Sequence, residues 1–365
     1  LYTSGMAINP LIIQALKKLN PTVPAEPREV IDREWQGMAR GWDTLEQIET
    51  LLAADYTLRG VLHGPIGVGK SSELQRWARG LEDIAKVLVV TVQRPTRALK
   101  TAEDVYGVLE SSVWSALKLS DEDAEEMAED EDYEEFDPLG AMLYYCGYFG
   151  DENQPPGLLL IDGLDLLPSD QAALFGAAQN LPLDELPSVI FVGAHPWFTL
   201  TPREQRDPRL EYIWELPCFA VQLPDGTPNK PAIDTLAAGL LKRLARTRGA
   251  FWDLSRCCLE AAYYSGGVPR DAIRILHSAV LSAAKSGQVN AANLALGVNE
   301  LRQDIAQSLS TDELQKVALV GRSMNHQGDI SLISKNAILP YDLTDRRYWL
   351  PHPVLRNLIN APKVF

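Results

Sequence analysis

The sequence predicts an α/β protein: a parallel sheet core that carries a glycine-rich loop, a helical lid behind it, and a C-terminal module of winged-helix type. Three observations carry this. Between Leu58 and Val221, apolar strand-like runs alternate with helix-like segments, the pattern of parallel strands joined by crossover helices. A glycine-rich run, Gly64-Pro65-Ile66-Gly67-Val68-Gly69-Lys70-Ser71, stands between the first strand and its following helix. After Pro231 the text turns helical.

In chain order, a helix is expected at Pro10 to Leu19, followed by a proline-rich linker from Asn20 to Pro27. Apolar spacing then suits two helices, near Val30 to Met38 and Leu45 to Leu52. The five expected strands are Leu58 to His63, Val87 to Val92, Leu158 to Ile161, Val189 to Val192 and Tyr212 to Val221, with a helix at Lys70 to Ile84 after the glycine loop. Lid helices are expected at Ile233 to Ala245, Ser255 to Tyr264, Pro269 to Ala284 and Ala291 to Ser308. The tail mixes helices with a hairpin whose arms lie near Leu332 to Tyr341 and Tyr348 to Leu350. The resulting organisation is an N-terminal helical segment and linker (1–40), an α/β core (41–228), a helical lid (229–308) and a winged-helix-like module (309–365). Leu1 to Gly5 read as residues ahead of a native start at Met6 and are left out of fold reasoning.

Composition narrows the function classes. At 365 residues, with 46% hydrophobic and 23% charged residues, the chain has material for two or three compact units and is neither disordered nor fibrous in make-up. It carries no apolar run long enough to span a bilayer and no signal-peptide pattern, so a soluble cytoplasmic protein is expected. Cys146, Cys218, Cys257 and Cys258 lack the C-x-x-C spacing of metal or redox motifs, and the adjacent pair reads as small buried side chains. The net charge of −15 is concentrated in residues 121–137, which hold twelve acids and no base and leave −3 for everything else. A nearly neutral body offers no broad basic face for nucleic acid.

The run from Gly64 to Ser71 satisfies G-x-x-x-x-G-K-[ST] in the required strand-loop-helix setting. Glycines let the backbone curl until its N–H groups face an anion, and the helix start adds positive potential. Gly64, Pro65, Ile66, Gly67, Val68, Gly69, Lys70, Ser71 and Ser72 are therefore the expected nucleotide-binding residues. In this scheme Lys70 reaches the β and γ phosphates of ATP and Ser71 ligates Mg²⁺. Hydrolysis also needs a carboxylate at the end of a neighbouring strand, and Leu158-Leu159-Leu160-Ile161-Asp162 supplies one, making Asp162 the second Mg²⁺ residue. Asp165, on the turn that follows, has two roles open to it: polarising the attacking water, or capping the turn.

These motifs resemble the AAA+ and STAND divisions of P-loop ATPases, and the string from Asp162 to Asp165 is most similar to the NACHT form of the Walker B motif. The resemblance covers about residues 40–290. Gly266-Gly267-Val268-Pro269-Arg270 is similar to the glycine-x-proline lid motif of that group, which implies Pro269 near the base and Arg270 as a sensor of the γ-phosphate. It implies a sensor position at His195, after the fourth strand, where a satisfied structural histidine is the other reading. Arg203, Arg206 and Arg209 fall where such ATPases present an arginine finger to a neighbour, or else form a solvated basic loop. Gly163 stands in place of the usual AAA+ glutamate, and Leu166 where many NACHT proteins carry glutamate, so slow or partner-assisted hydrolysis is implied.

Together these expectations describe a slow ATPase that uses ATP and Mg²⁺ as a switch for a protein partner or for self-association, in signalling or phage defence as the resemblance implies. Two other readings are a DNA-loading ATPase that grips duplex with the C-terminal module, and a nucleotide-stabilised scaffold. The acidic run reads as a solvated insert, or as a docking segment for a basic partner built around Tyr133 and Phe136. Arg346 and Arg347 are the candidate phosphate contacts of the C-terminal module.

Overall fold

The computed structural model describes residues 9–21, 44–54, 56–92, 95, 99–118, 138–145, 147, 155–164, 186–194, 210–284, 286–323, 329–343 and 346–359. These fall into two compact units, one made of 44–64 and 73–216, the other of 1–43, 65–72 and 217–365. The expected helix near Val30 to Met38 and the acidic run 121–137 lie outside the described residues.

The first unit holds five parallel strands: β1 (Arg59–Gly64), β2 (Lys86–Thr91), β3 (Gly157–Asp162), β4 (Ser188–Ala194) and β5 (Tyr212–Glu215). Their order across the sheet is β2-β3-β4-β1-β5. Each strand lies where its apolar run placed it, within a residue or two, except the last. The sequence suggested a strand running on to Val221, but β5 ends at Glu215. Leu216 N–H still bonds His63 O at 2.7 Å, but the next donor on that side of the strand, Cys218 N–H, goes to Pro340 O at 3.2 Å, so parallel pairing stops there.

β1, β3 and the central part of β4 bury both faces, as expected for the middle of a parallel sheet. One face packs Leu88, Val90, Leu159, Ile161, Val189 and Phe191 against Val105, Leu109 and Val113 of the Ala102–Leu117 helix. That helix starts with a capping box in which Thr101 and Asp104 satisfy each other's backbone N–H groups. At the amino edge of the sheet the buried Arg59 guanidinium donates to Leu58 O, Pro187 O and Leu186 O. The helix after the glycine loop runs Lys70–Gly80, shorter than the Lys70 to Ile84 read from the sequence. Gly80, a poor helix former, falls where regular structure gives way to turn.

In the second unit the lid helices Lys230–Leu244, Leu254–Tyr264, Pro269–Ser282 and Ala291–Gln307 share one apolar core. The N-terminal helix Pro10–Lys18 joins it through Ile12 and Ala15, with Leu19 just beyond the helix end. Asn9 caps that helix and ties it to the lid by donating from Nδ2 to Gly287 O at 2.9 Å. Cys257 and Cys258 are buried in this core, where desolvation pushes the Cys257 thiol up to about 12 and raises that of Cys258 as well.

The C-terminal region places the helices Thr311–Ser323 and Ile330–Ser334 before an antiparallel hairpin, β6 (Ile338–Leu343) and β7 (Arg346–Pro351), a winged-helix-like arrangement. The first arm differs from the expected Leu332 to Tyr341. Its opening half is helical because Asp329 caps a short helix at Ser331 N and Asn336 closes it. The hairpin docks on the lid through hydroxyls. Tyr341 Oη donates to Gly266 O at 2.8 Å, and Tyr348 Oη donates to Gln222 O at 2.6 Å.

Candidate functional site

β1 delivers the chain to the glycine loop at Gly64, whose missing side chain matters because a Cβ there would lie 2.5 Å from Leu216 O. Within the loop, Gly67 and Gly69 take φ of 82° and 103°, conformations that other residues adopt only with strain. Val68 N–H donates to Pro65 O at 3.3 Å, closing a tight turn. Lys70 begins the helix and is 8% exposed, and its Nζ donates to Pro65 O at 3.1 Å, so the ammonium bridges both ends of the loop. Ser71 and Ser72 follow, half-buried, in the first turn. A buried cation beside a helix start favours an anion.

The lid meets this loop within the same unit. Pro269 opens the Pro269–Ser282 helix, and the next residue, Arg270, donates its backbone N–H to Gly67 O at 3.2 Å. A Cβ on Gly67 would lie 2.7 Å from Arg270 Cβ, so this second loop glycine, at a variable position of the motif, is required by lid packing as well as by φ. The rest of Arg270 is exposed. Gly266 and Gly267 turn the chain into this helix at φ of 64° and 80°.

Asp162 is the last residue of β3, paired in register with Thr91, and is buried. Gly64 pairs with Ala194 at the same carboxyl edge, with β4 between the two strands. The sheet thus brings Asp162 and the exit of β1 to one edge, two strand spacings or about 10 Å apart. The carboxyl ends of parallel strands are where open α/β sheets take ligands. Asp165, His195, Arg203, Arg206 and Arg209 lie outside the described residues.

A buried polar cluster behind the loop was not anticipated from the sequence. Asn336 Nδ2 donates to Ile66 O at 3.1 Å and to Asp271 Oδ2 at 3.2 Å. Burial raises the Asp271 carboxyl above its ordinary range, against the opposing pull of Arg274, whose NH1 lies 3.3 Å from Oδ1. His352, fully buried, sits with Nε2 3.8 Å from Asp271 Oδ2, and desolvation holds the imidazole neutral, down to about 3. Only the asparagine's tolerance of turn conformations hinted at this cluster, because its members are distant in sequence.

No family model and no curated protein matches the chain. Among solved structures, Cdc6p from Pyrobaculum aerophilum is similar at 13% identity and a TM-score of 0.46, over 94% of this chain and 96% of that one. A Walker-type ATPase of Pyrococcus abyssi is similar at 16% identity and a TM-score of 0.47, over 94% of this chain and 100% of that one. The Orc1 protein of Aeropyrum pernix, solved in complex with DNA, is similar at 14% identity and a TM-score of 0.44, over 94% and 95%.

Proposed function

We propose that this chain is a slow ATPase of AAA+/STAND type that works as a switch, coupling MgATP binding and hydrolysis to contacts with a protein partner or with further copies of itself. The observation that carries the reading is the loop itself: a glycine-built turn at the end of β1, with Lys70 inside it and the lid helix bonded to its backbone through Arg270 N–H. In this reading 41–228 form the catalytic core, 229–308 the lid and 309–365 the effector module.

Lys70 neutralises the β and γ phosphates, and backbone N–H groups from Pro65 to Ser72, Pro65 itself excepted, cradle them. The donor set for metal is the Ser71 hydroxyl and the Asp162 carboxylate, hard oxygens too few for an all-protein cage. Such a sparse set fits Mg²⁺, which keeps waters and phosphate oxygens as its other ligands. When bound, the ion supplies charge stabilisation at the transferring phosphoryl group. Asp165 orients the attacking water, His195 and Arg270 sense the γ-phosphate, and one of Arg203, Arg206 and Arg209 reaches a neighbouring copy. With no glutamate at Gly163, turnover is slow, which suits a switch.

No helix among the described residues is long and apolar enough to cross a membrane, and we assign the switch to the cytoplasm. A DNA-loading role is the second reading, favoured by the hairpin of the C-terminal module. Against it, the Arg347 guanidinium is held by both oxygens of Asp342, at 3.0 and 3.1 Å. Steady-state turnover with duplex DNA titrated at two salt concentrations separates the two. Slow turnover indifferent to DNA is expected, and strong stimulation that fades with salt would replace the switch by the DNA reading. In the same assay Asp162→Asn should lower kcat by roughly 100-fold, because placement of the ion is worth several kcal/mol in the transition state. An unchanged kcat would remove Asp162 from the site.

A further inference from the structure

The short helix Ile330–Ser334 ends in a paired closure: Asn336 N–H bonds Ile333 O at 3.0 Å, and Ala337 N–H bonds Leu332 O at 2.9 Å. This motif needs a residue in the left-handed region, and Asn336 supplies it at φ 54°. Glycine is the usual occupant and would close the helix without placing an amide in the interior. The side chain present is 9% exposed, and a buried carboxamide is costly unless it finds hydrogen-bond partners.

Those partners are visible in where the amide points. Ile66 O and Asp271 Oδ2 are both acceptors, so the Asn336 nitrogen must face them, and it lies 3.1 and 3.2 Å away. Asp271 follows Arg270, whose own N–H holds Gly67 O at 3.2 Å. Two successive carbonyls of the glycine loop are thereby anchored from outside the loop, and the two anchors are linked through Asp271. A trans peptide points its C=O and N–H in opposite directions. Fixing Ile66 O on Asn336 therefore fixes the opposite direction for the Gly67 N–H, and an anion loop works only when its carbonyls are turned away.

We propose that Asn336 is a positioning residue for the phosphate loop, through which the C-terminal module sets the affinity of the loop for a nucleoside triphosphate. The proposal rests on the nucleotide-binding reading above and deepens it: nucleotide and hairpin are two sites joined by a hydrogen-bonded chain, Ile66 to Asn336 to Asp271. Linkage then makes the coupling reciprocal, so that any ligand that displaces β6 weakens nucleotide binding.

The test uses the full chain and MgATP. Asn336→Gly keeps the left-handed turn and removes only the carboxamide. It should bind MgATP about tenfold more weakly than wild type, the loss expected when hydrogen bonds to buried acceptors disappear. In wild type, saturating MgATP should also slow amide exchange across Ile338–Leu343, and in Asn336→Gly that protection should vanish even at saturation, which a purely structural residue would not cause. Equal affinity in the two proteins, or equal protection, overturns the proposal. If the variant does not fold, wild-type exchange decides alone, because MgATP that binds without protecting β6 also overturns it. Failure of wild type to bind MgATP at all would fell the nucleotide reading itself, a result distinct from binding that ignores Asn336.

Discussion

Lys70→Ala is expected to lose MgATP binding by roughly 10²–10³-fold while leaving the protein folded. The ammonium makes charge-assisted contacts with two phosphates, each worth about 1.5–3 kcal/mol, and the lower part of their sum, about 3–4 kcal/mol, corresponds to that loss of affinity. Folding should suffer little. Alanine is the best helix former, Lys70 stands at the first helical position, and the carbonyl to which its ammonium donates, Pro65 O, also accepts from Val68 N–H. Calorimetric titration with MgATP beside a thermal melt checks both halves. Affinity within twofold of wild type would show that the loop is not the nucleotide site. A collapse of the melting temperature would show instead that Lys70 acts chiefly as a structural strut.

The parts of the molecule that were legible in the sequence are those written in local text. Strands buried on both faces appear as apolar runs, and the glycine spacing of the loop encodes backbone geometry directly, so the sheet, the glycine loop after β1 and the position of Asp162 at the end of β3 could be read from the sequence. What escaped was decided by partners far away. Nothing near Asn336 announces that its amide bonds a carbonyl 270 residues earlier. The hairpin text from Leu332 was apolar enough to read as one strand, and only the Asp329 cap and the left-handed Asn336 divide it into helix and strand. The early end of β5 was not visible either, because it depends on Cys218 N–H bonding Pro340 O, a carbonyl far away in sequence. The Gly-Gly-Val-Pro-Arg string was legible as a motif, but the sequence does not say why both glycines are needed.

The second of them gives the largest expected loss of stability. Gly267 sits at φ 80°, and a Cβ there would lie 1.9 Å from Phe219 O and 2.8 Å from Phe219 C, backbone atoms with no rotamer to yield. Nor can the Phe219 segment back away freely, since its N–H bonds Gly267 O at 3.1 Å and its ring is buried in the lid core. Gly267→Ala must therefore both strain the backbone and push apart two bonded segments, a cost of about 3–5 kcal/mol. In a thermal melt that is a fall of about 6–20 °C for a unit of this size. Gly107→Ala is the matched control, because Gly107 lies inside the Ala102–Leu117 helix with open space around its missing Cβ. There the same substitution should stabilise by about 0.5–1 kcal/mol through helix propensity alone. Opposite signs at the two glycines would establish that the lid turn is held by steric necessity. Because that turn leads straight into Pro269 and Arg270, a Gly267→Ala protein that still folds should also hold the loop less well and bind MgATP more weakly. A Gly267→Ala melt unchanged from wild type would mean that the turn and the Phe219 segment do not pack as described.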